Sequence, residues 1–387
     1  MSNFCIVCEF NPLHNGHKYL IDKARALGAD NVVCVMSGNS TQRGELAITD
    51  KYLRAQAAIK SGADLVLELP FPWSASSAEY FATAAIYIAS GFCDKIIFGS
   101  ECGDIALLQK AAQVCESAEF HSEYLCRTAN GEGSASAFIK CLADYNVKEL
   151  SSNDLLGVAY IRAVKRLSLD MGCITVARKG AAYNSFSIVE GKNQSATAIR
   201  SMISADKAQE VSCYMPEAMA EILYEEQRQG RITDMSEADG AVLGFFRLSD
   251  VKSFDKIADA DGGIANRLVW AANESVTAKH MIEKVKTKRY TDAKLRRAML
   301  FCITGTELCD IQALPEYTTL LAANEKGRAL IAENRRNVKI KVVTKPADAP
   351  QTRQTELSRK LDAFYGLARK NKLTSDYYIK KSAYIEK

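Results

Sequence analysis

Long apolar runs are missing. Stretches such as Asp64-Leu65-Val66-Leu67-Glu68-Leu69 fall far short of the roughly 20 residues that a helix needs to span a bilayer, which argues against a membrane protein. The start, Met1-Ser2-Asn3-Phe4, has no basic segment before its short apolar run, so no secretory leader is expected and a cytoplasmic location is. Of the twelve cysteines only Cys5 and Cys8 form a C-x-x-C, and no second pair exists to complete a zinc site; reduced thiols fit the expected compartment. The pair lies inside Phe4-Cys5-Ile6-Val7-Cys8, an apolar run that reads as a strand, where residues three apart face opposite sides. The expectation is two core cysteines. Also absent are G-x-x-x-x-G-K-[ST], a G-x-G-x-x-G after a strand, and the H-x-E with P-C-x-x-C of zinc deaminases.

What is present is ordinary in bulk and uneven in detail. The 387 residues are 48% hydrophobic and 25% charged, and the length predicts at least two domains. A net charge of +4 hides a contrast: residues 1–280 carry 27 basic and 34 acidic side chains, whereas residues 281–387 carry 23 and 12. A basic tail suits a polyanionic partner, or simply a solvated surface. The first hundred residues alternate strands (Phe4–Cys8, Asn31–Met36, Asp64–Leu69, Lys95–Phe98) with helices (Gly16–Ala26, Asp50–Lys60, Ser77–Ala89), the pattern of βαβ units and a parallel sheet. Helices are expected over Ile105–Arg166, a fifth strand at Cys173–Ala177, and a loop at Lys179–Gln194. After about residue 205 the pattern is mainly helical, with helices near Ser236–Arg247, Val276–Lys286, Tyr290–Ile303 and Glu356–Lys370 and a β-like run at Val338–Val343. The fold class expected is α/β, with an N-terminal Rossmann-like sheet (1–205) followed by a mainly helical region (206–387).

Histidine is scarce, four in all, yet His14 and His17 stand three apart around Asn15-Gly16, where the first strand gives way to the first helix. Ligands of open α/β sheets bind at the carboxyl ends of strands, and a helix N-terminus there attracts phosphate. Asn15 is a candidate N-cap. Gly16 lets a nucleotide approach the backbone. Both imidazoles are positioned to donate to phosphate oxygens during displacement at phosphorus. Surface histidines, or half of a zinc site, are the plain alternatives; the strand–loop–helix setting and the missing third ligand argue against each.

Placed so, H-x-G-H resembles the nucleotidyltransferase superfamily related to class I aminoacyl-tRNA synthetases. Longer strings narrow the likeness: Glu9-Phe10-Asn11-Pro12-Leu13-His14-Asn15-Gly16-His17, Met36-Ser37-Gly38-Asn39, Gln42-Arg43-Gly44, Phe98-Gly99-Ser100-Glu101, Ser152-Asn153-Asp154-Leu155-Leu156-Gly157 and Ser195-Ala196-Thr197-Ala198-Ile199-Arg200. Together they resemble the bacterial tRNA(Met) cytidine acetate ligases, densely to about residue 205 and more thinly beyond, where Lys288-Arg289-Tyr290-Thr291 and Arg296-Arg297 are the clearest matches. Ser40-Thr41 and Leu46 depart from the family's more apolar pair and its proline.

The resemblance implies a two-step reaction in which acetate attacks the α-phosphate of ATP and the acetyl group then passes to N4 of the wobble cytidine of elongator tRNA(Met). It implies an ATP site made of Val7, Cys8, Glu9, Phe10, Asn11, Pro12, Leu13, His14, Asn15, Gly16, His17, Lys18, Tyr19 and Leu20, with Gly99, Asn153 and Arg178; His14 and His17 are the catalytic pair. Asn153 is also a candidate helix cap and Arg178 a plain surface charge. Ser195, Thr197 and Arg200 are candidate phosphate contacts or parts of an ordinary capped helix. Lys286, Lys288, Arg289, Arg296 and Arg297 are candidate tRNA contacts, with Tyr290 a base-stacking platform. Magnesium is expected with ATP, but no acidic cluster identifies protein ligands. Two other classes stay open: an enzyme that adenylylates a small phosphorylated metabolite, and a non-catalytic RNA-binding protein of the same fold. An acetyl-CoA-dependent enzyme is disfavoured, because no [RQ]-x-x-G-x-[GA] loop is found.

Overall fold

A computed structural model describes residues 2–147, 150–178, 195–205, 207, 209–287, 289–334 and 339–386. The loop expected at 179–194 and Lys288 lie outside the described residues.

The apolar runs become a sheet. Strands β1 (Asn3–Cys8), β2 (Asn31–Ser37), β3 (Leu65–Leu69), β4 (Lys95–Ser100) and β5 (Gly172–Ala177) pair in parallel in the order β5-β4-β1-β2-β3. The order reverses between β1 and β4, and that switch point opens a crevice at their carboxyl ends. Helices α1 (Asn15–Ala26) and α2 (Lys51–Lys60) cover one face through Ile21, Ala55 and Ala58; α3 (Ala78–Ala89), α4 (Ile105–Cys115) and, further along, α7 (Ser152–Arg166) cover the other through Phe81, Leu108 and Val158. Between α4 and α7 run α5 (Ala118–Ala129) and α6 (Ser134–Asp144). Cys5 packs into one face and Cys8 into the other, as strand alternation requires, and all twelve cysteines are free thiols.

Beyond the first two hundred residues come α8 (Ala196–Ser204), α9 (Glu217–Arg228), α10 (Asp239–Leu248), α11 (Ile264–Asn273), α12 (Ala278–Val285) and α13 (Asp292–Thr304). The last four share a core of Val242, Phe246, Leu268, Met281 and Phe301. The chain then returns to the sheet. Strand β6 (Tyr317–Ala323), to which no element is assigned from the sequence, pairs antiparallel with β3; β7 (Lys341–Val343) and β8 (Tyr384–Ile385) pair in parallel with β6. The sheet therefore draws on both sides of residue 205. Among the described residues no helix is long and apolar enough to cross a membrane.

Candidate active site

After β1 the chain turns through Glu9–Leu13. Phe10 adopts a left-handed conformation (φ 45°), and its buried ring meets the edge of His17 at 5.1 Å. A left-handed residue with a Cβ costs about 1–2 kcal/mol; burial of the ring in the α1–α2 core offsets it. The cap of α1 is His14, not Asn15. His14 Nδ1 accepts from the Gly16 N–H (3.1 Å), and His17 Nδ1 accepts from the His14 N–H (3.2 Å), a reciprocal capping box made of two imidazoles. The rings stack at 3.8 Å. With each Nδ1 accepting, each neutral ring carries its hydrogen on Nε2. Both rings are neutral: burial, then the charges of Arg178 and Arg200, push His14 down to about 3, and burial, His14 and Arg178 hold His17 well below its usual value. Gly16 serves this arrangement directly, since a Cβ there would stand 2.9 Å from His14 Cε1. Asn15 instead donates to the Cys213 carbonyl at 2.9 Å.

The other walls come from distant segments. Gly99, next to last in β4, lies beneath the stem of Arg178, whose Cγ would lie 3.2 Å from an added Cβ. Arg178 follows β5, is tied by its N–H to the Ser100 carbonyl (2.9 Å) and faces Glu101 at 3.5 Å. Asn153 also donates to Glu101, at 2.5 Å. Asn153 is not the cap of α7; Ser151 is, in a capping box with Asp154, which also takes the Cys102 N–H. Ser195 caps α8 by accepting from Ala198 N (3.1 Å), so the positive end of that helix lines the cleft. Arg200 reaches back to the Asn11 carbonyl (2.9 Å) and to Glu45 (2.8 Å). Asn11 is 3% exposed; its Oδ1 accepts from Ile48 N, and its Nδ2 has no partner among the described residues.

One cleft thus gathers Val7, Cys8, Glu9, Phe10, Asn11, His14, His17, Leu20, Gly99, Asn153, Arg178, Ser195, Thr197 and Arg200. Pro12, Leu13, Asn15, Gly16, Lys18 and Tyr19 do not line it: Leu13 is core, Lys18 pairs with Asp22 and Tyr19 stacks with Lys23. Sequence reasoning misses Gln42, Arg43, Glu45, Phe81, Phe98 and Tyr160, which also line it. Gln42-Arg43 stands out only as part of a string with no role attached; the aromatic residues sit at helix and strand positions that look like core. Burial raises the Glu9 carboxyl above its usual value, partly opposed by a 2.7 Å hydrogen bond from Gln42 N. Beneath the turn, fully buried Arg54 donates to the carbonyls of Glu9 (2.5 Å), Ser37 (3.2 Å), Gly38 and Thr49 (3.0 Å), fixing the ends of β1 and β2 together. Among the described residues no cluster of three metal-ligating side chains occurs.

The basic candidates scatter. Lys286 is exposed and paired with Asp292 (3.0 Å); Arg289 is exposed over the Tyr290 ring. Arg296 is half-buried, with Nε on the Arg43 carbonyl (3.3 Å). Two expectations need correction. Arg297 is 8% exposed and committed to Asp259 at 2.6 Å, inside the helical bundle. Tyr290 is equally buried and gives its hydroxyl hydrogen to the Gly262 carbonyl (2.7 Å), which removes it as a stacking platform.

The model of the HIGH Nucleotidyl Transferase family matches residues 1–378. A tRNA(Met) cytidine acetate ligase of Caldicellulosiruptor bescii is 38% identical, covering 88% of this chain and 86% of that one; another, of Acetivibrio thermocellus, is 34% identical, covering 92% and 91%. The crystal structure of Thermotoga maritima TmcAL in its apo form superposes with a TM-score of 0.92 at 30% identity, covering 100% and 99% of the two chains. The same protein bound with alpha-thio ATP superposes at 0.89 and 28% identity, with both chains fully covered. The chain belongs to the HIGH nucleotidyltransferase family, among the tRNA(Met) cytidine acetate ligases.

Proposed function

We propose that this chain is an ATP-dependent ligase that activates acetate as acetyl-adenylate and transfers the acetyl group to N4 of the wobble cytidine of elongator tRNA(Met). The observation that carries the reading is the pair of stacked, neutral imidazoles whose Nε2 hydrogens are left for a ligand, at the switch point of a parallel sheet. An acetate oxygen attacks the α-phosphorus, the new P–O bond forms, and the bond to the bridging oxygen breaks with release of pyrophosphate. Negative charge shifts among the phosphate oxygens as this happens. Donors already in place stabilise it without reorganising: His14 and His17 through Nε2, the first turn of α8, and Arg178 and Arg200 as fixed positive charge. The buried Nδ2 of Asn11 is one more donor, and an oxygen of the acid or the phosphate would satisfy it. In the second step the amine nitrogen bonds to the acyl carbon as the acyl–oxygen bond breaks, releasing AMP and a proton. Magnesium enters as part of the ATP substrate.

The division of labour follows the charge. Residues up to about 205 supply the nucleotide chemistry, and the basic later part, through Lys286, Arg289, Arg296 and neighbouring cations, supplies RNA binding. The test is pyrophosphate release from ATP with a panel of short acids, with and without tRNA. Acetate-dependent release that persists without RNA, followed by N4-acetylcytidine formation with tRNA and none from acetyl-CoA, is the expected result. Release with no acid, or acetylation from acetyl-CoA without ATP, would sink it.

A further inference from the structure

A second cavity shares a wall with the nucleotide cleft. It lies between the segment 44–48, the end of α8, the turn at Met235–Ala238, and helices α12 and α13. Glu45 and Arg200 line both cavities. The partition is uneven: Arg200 holds one oxygen of Glu45 at 2.8 Å, while the other oxygen faces Arg296 at 3.6 Å, beyond hydrogen-bond range. Arg200 also grips the Asn11 carbonyl, so the partition is anchored to the turn that carries the histidines. Inside, Ile48, Ile282 and Met299 offer apolar surface, and the charged lining is mixed, with Lys279, Lys286 and Arg296 beside Asp234, Asp239, Glu283 and Asp292.

We propose that this second cavity binds the acceptor, a cytosine nucleoside displayed by a single-stranded RNA loop, with Glu45 accepting a hydrogen bond from its exocyclic amine at the wall that the two cavities share. The inference rests on the transfer reaction proposed above. That reaction needs an amine to approach an acyl carbon held in the nucleotide cleft, and this cavity meets the cleft at the paired side chains of Glu45 and Arg200. A carboxylate matches the amine of cytosine and opposes the carbonyl that uracil carries at the same place. The loosely held oxygen of Glu45 is available for that hydrogen bond without breaking the Arg200 pair. The apolar surface suits a base face, and the mixture of carboxylates and cations suits the donors and acceptors along a base edge.

The probes are two stem–loop RNAs, identical except for cytidine or uridine at the target position, and a third with photoreactive 5-iodocytidine there. Three results are expected. The crosslink maps to the segments 44–48, 233–239 or 277–299. The wild-type protein binds the cytidine loop about 10-fold more tightly than the uridine loop, and Glu45→Gln brings that ratio close to one. Ser204→Trp and Ser236→Trp, bulky changes at exposed positions of the cavity, weaken cytidine-loop binding at least 10-fold. A crosslink elsewhere, an unchanged ratio in folded Glu45→Gln, or full affinity in both tryptophan variants overturns the proposal. None of these readouts needs turnover, so absence of acetate-dependent pyrophosphate release would sink the reaction and leave the binding result to stand or fall alone.

Discussion

His14 and His17 each present one ring hydrogen to the cleft, because the other ring nitrogen is occupied by the helix start. Replacing either by Ala should lower acetate-dependent pyrophosphate release by about 100- to 1000-fold, the usual cost of one such donor, with a much smaller change in ATP affinity. Rates within a few-fold of wild type would remove the assignment. Their neutrality has a consequence for stability. A histidine whose folded-state pKa lies below its unfolded value contributes stability in full above about pH 6.5 and loses it as pH falls toward the folded value, about 3 for His14. In that window the unfolded chain binds a proton that the folded one excludes, so each ring costs about 1.4 kcal/mol per pH unit. Melting temperature should therefore fall more steeply from pH 6.5 to 5 in the wild type than in His14→Asn/His17→Asn; parallel slopes would contradict the buried neutral pair. The placement of these histidines was readable from the strand–helix junction. That His14 rather than Asn15 caps the helix was not, because cap preference favours asparagine and the imidazole pair forms only once both rings stack.

At the scale of elements, the loop that carries Gln42 and Glu45 is pinned to α13 by Gly44. Its φ is +71°, and an added Cβ would lie 2.5 Å from Arg297 N and 2.8 Å from the Arg296 carbonyl carbon. Gly44→Ala combines backbone strain with a clash against main chain, and should cost about 1–3 kcal/mol in chemical denaturation. Because Glu45 moves with it, adenylation should fall as well; unchanged stability would mean the loop is not docked as described. Arg54 is a second fastening. Arg54→Leu strips hydrogen bonds from buried carbonyls of Glu9, Ser37 and Thr49 and should destabilise by about 3 kcal/mol or more, measured the same way. Strands β1 to β5 were legible as apolar runs between helices. Strand β6 was not: Tyr-Thr-Thr-Leu-Leu-Ala-Ala has no alternation, since all seven residues are buried, and its pairing partner β3 lies some 250 residues earlier. A short apolar run of this kind reads equally well as helix.

Across the whole molecule, the proposed division of tasks follows the charge. Charge reversal at Lys286 and Arg289, both exposed, should weaken tRNA binding and reduce the slope of log affinity against log salt by roughly 0.9 for each phosphate no longer neutralised, while pyrophosphate release without tRNA stays near wild type. An unchanged slope in the folded variant would place the RNA elsewhere. Arg297 does not belong in that set: reversing it would bury a like charge beside Asp259 and act through stability. The basic excess was visible in composition, but composition could not tell Arg289 from Arg297, because exposure depends on which residues fold over each.

By itself the sequence determined the parallel sheet, the helix that follows its first strand, and the histidine pair at their junction. These depend on local periodicity and on the order of neighbouring elements, which short stretches of chain encode. Only the tertiary structure decided what surrounds that junction. Gly99, Asn153, Arg178 and Arg200 reach it from separate segments; the family resemblance named them as candidates, but Asn153, Arg178 and Arg200 each also fitted a plain surface or capping role until the fold brought them to one cleft. The same holds for Glu45 as a partition between two cavities and for the commitment of Tyr290 and Arg297 to the bundle. Burial, ion pairing and pKa depend on neighbours far away in the chain, so they exist only after the chain has folded.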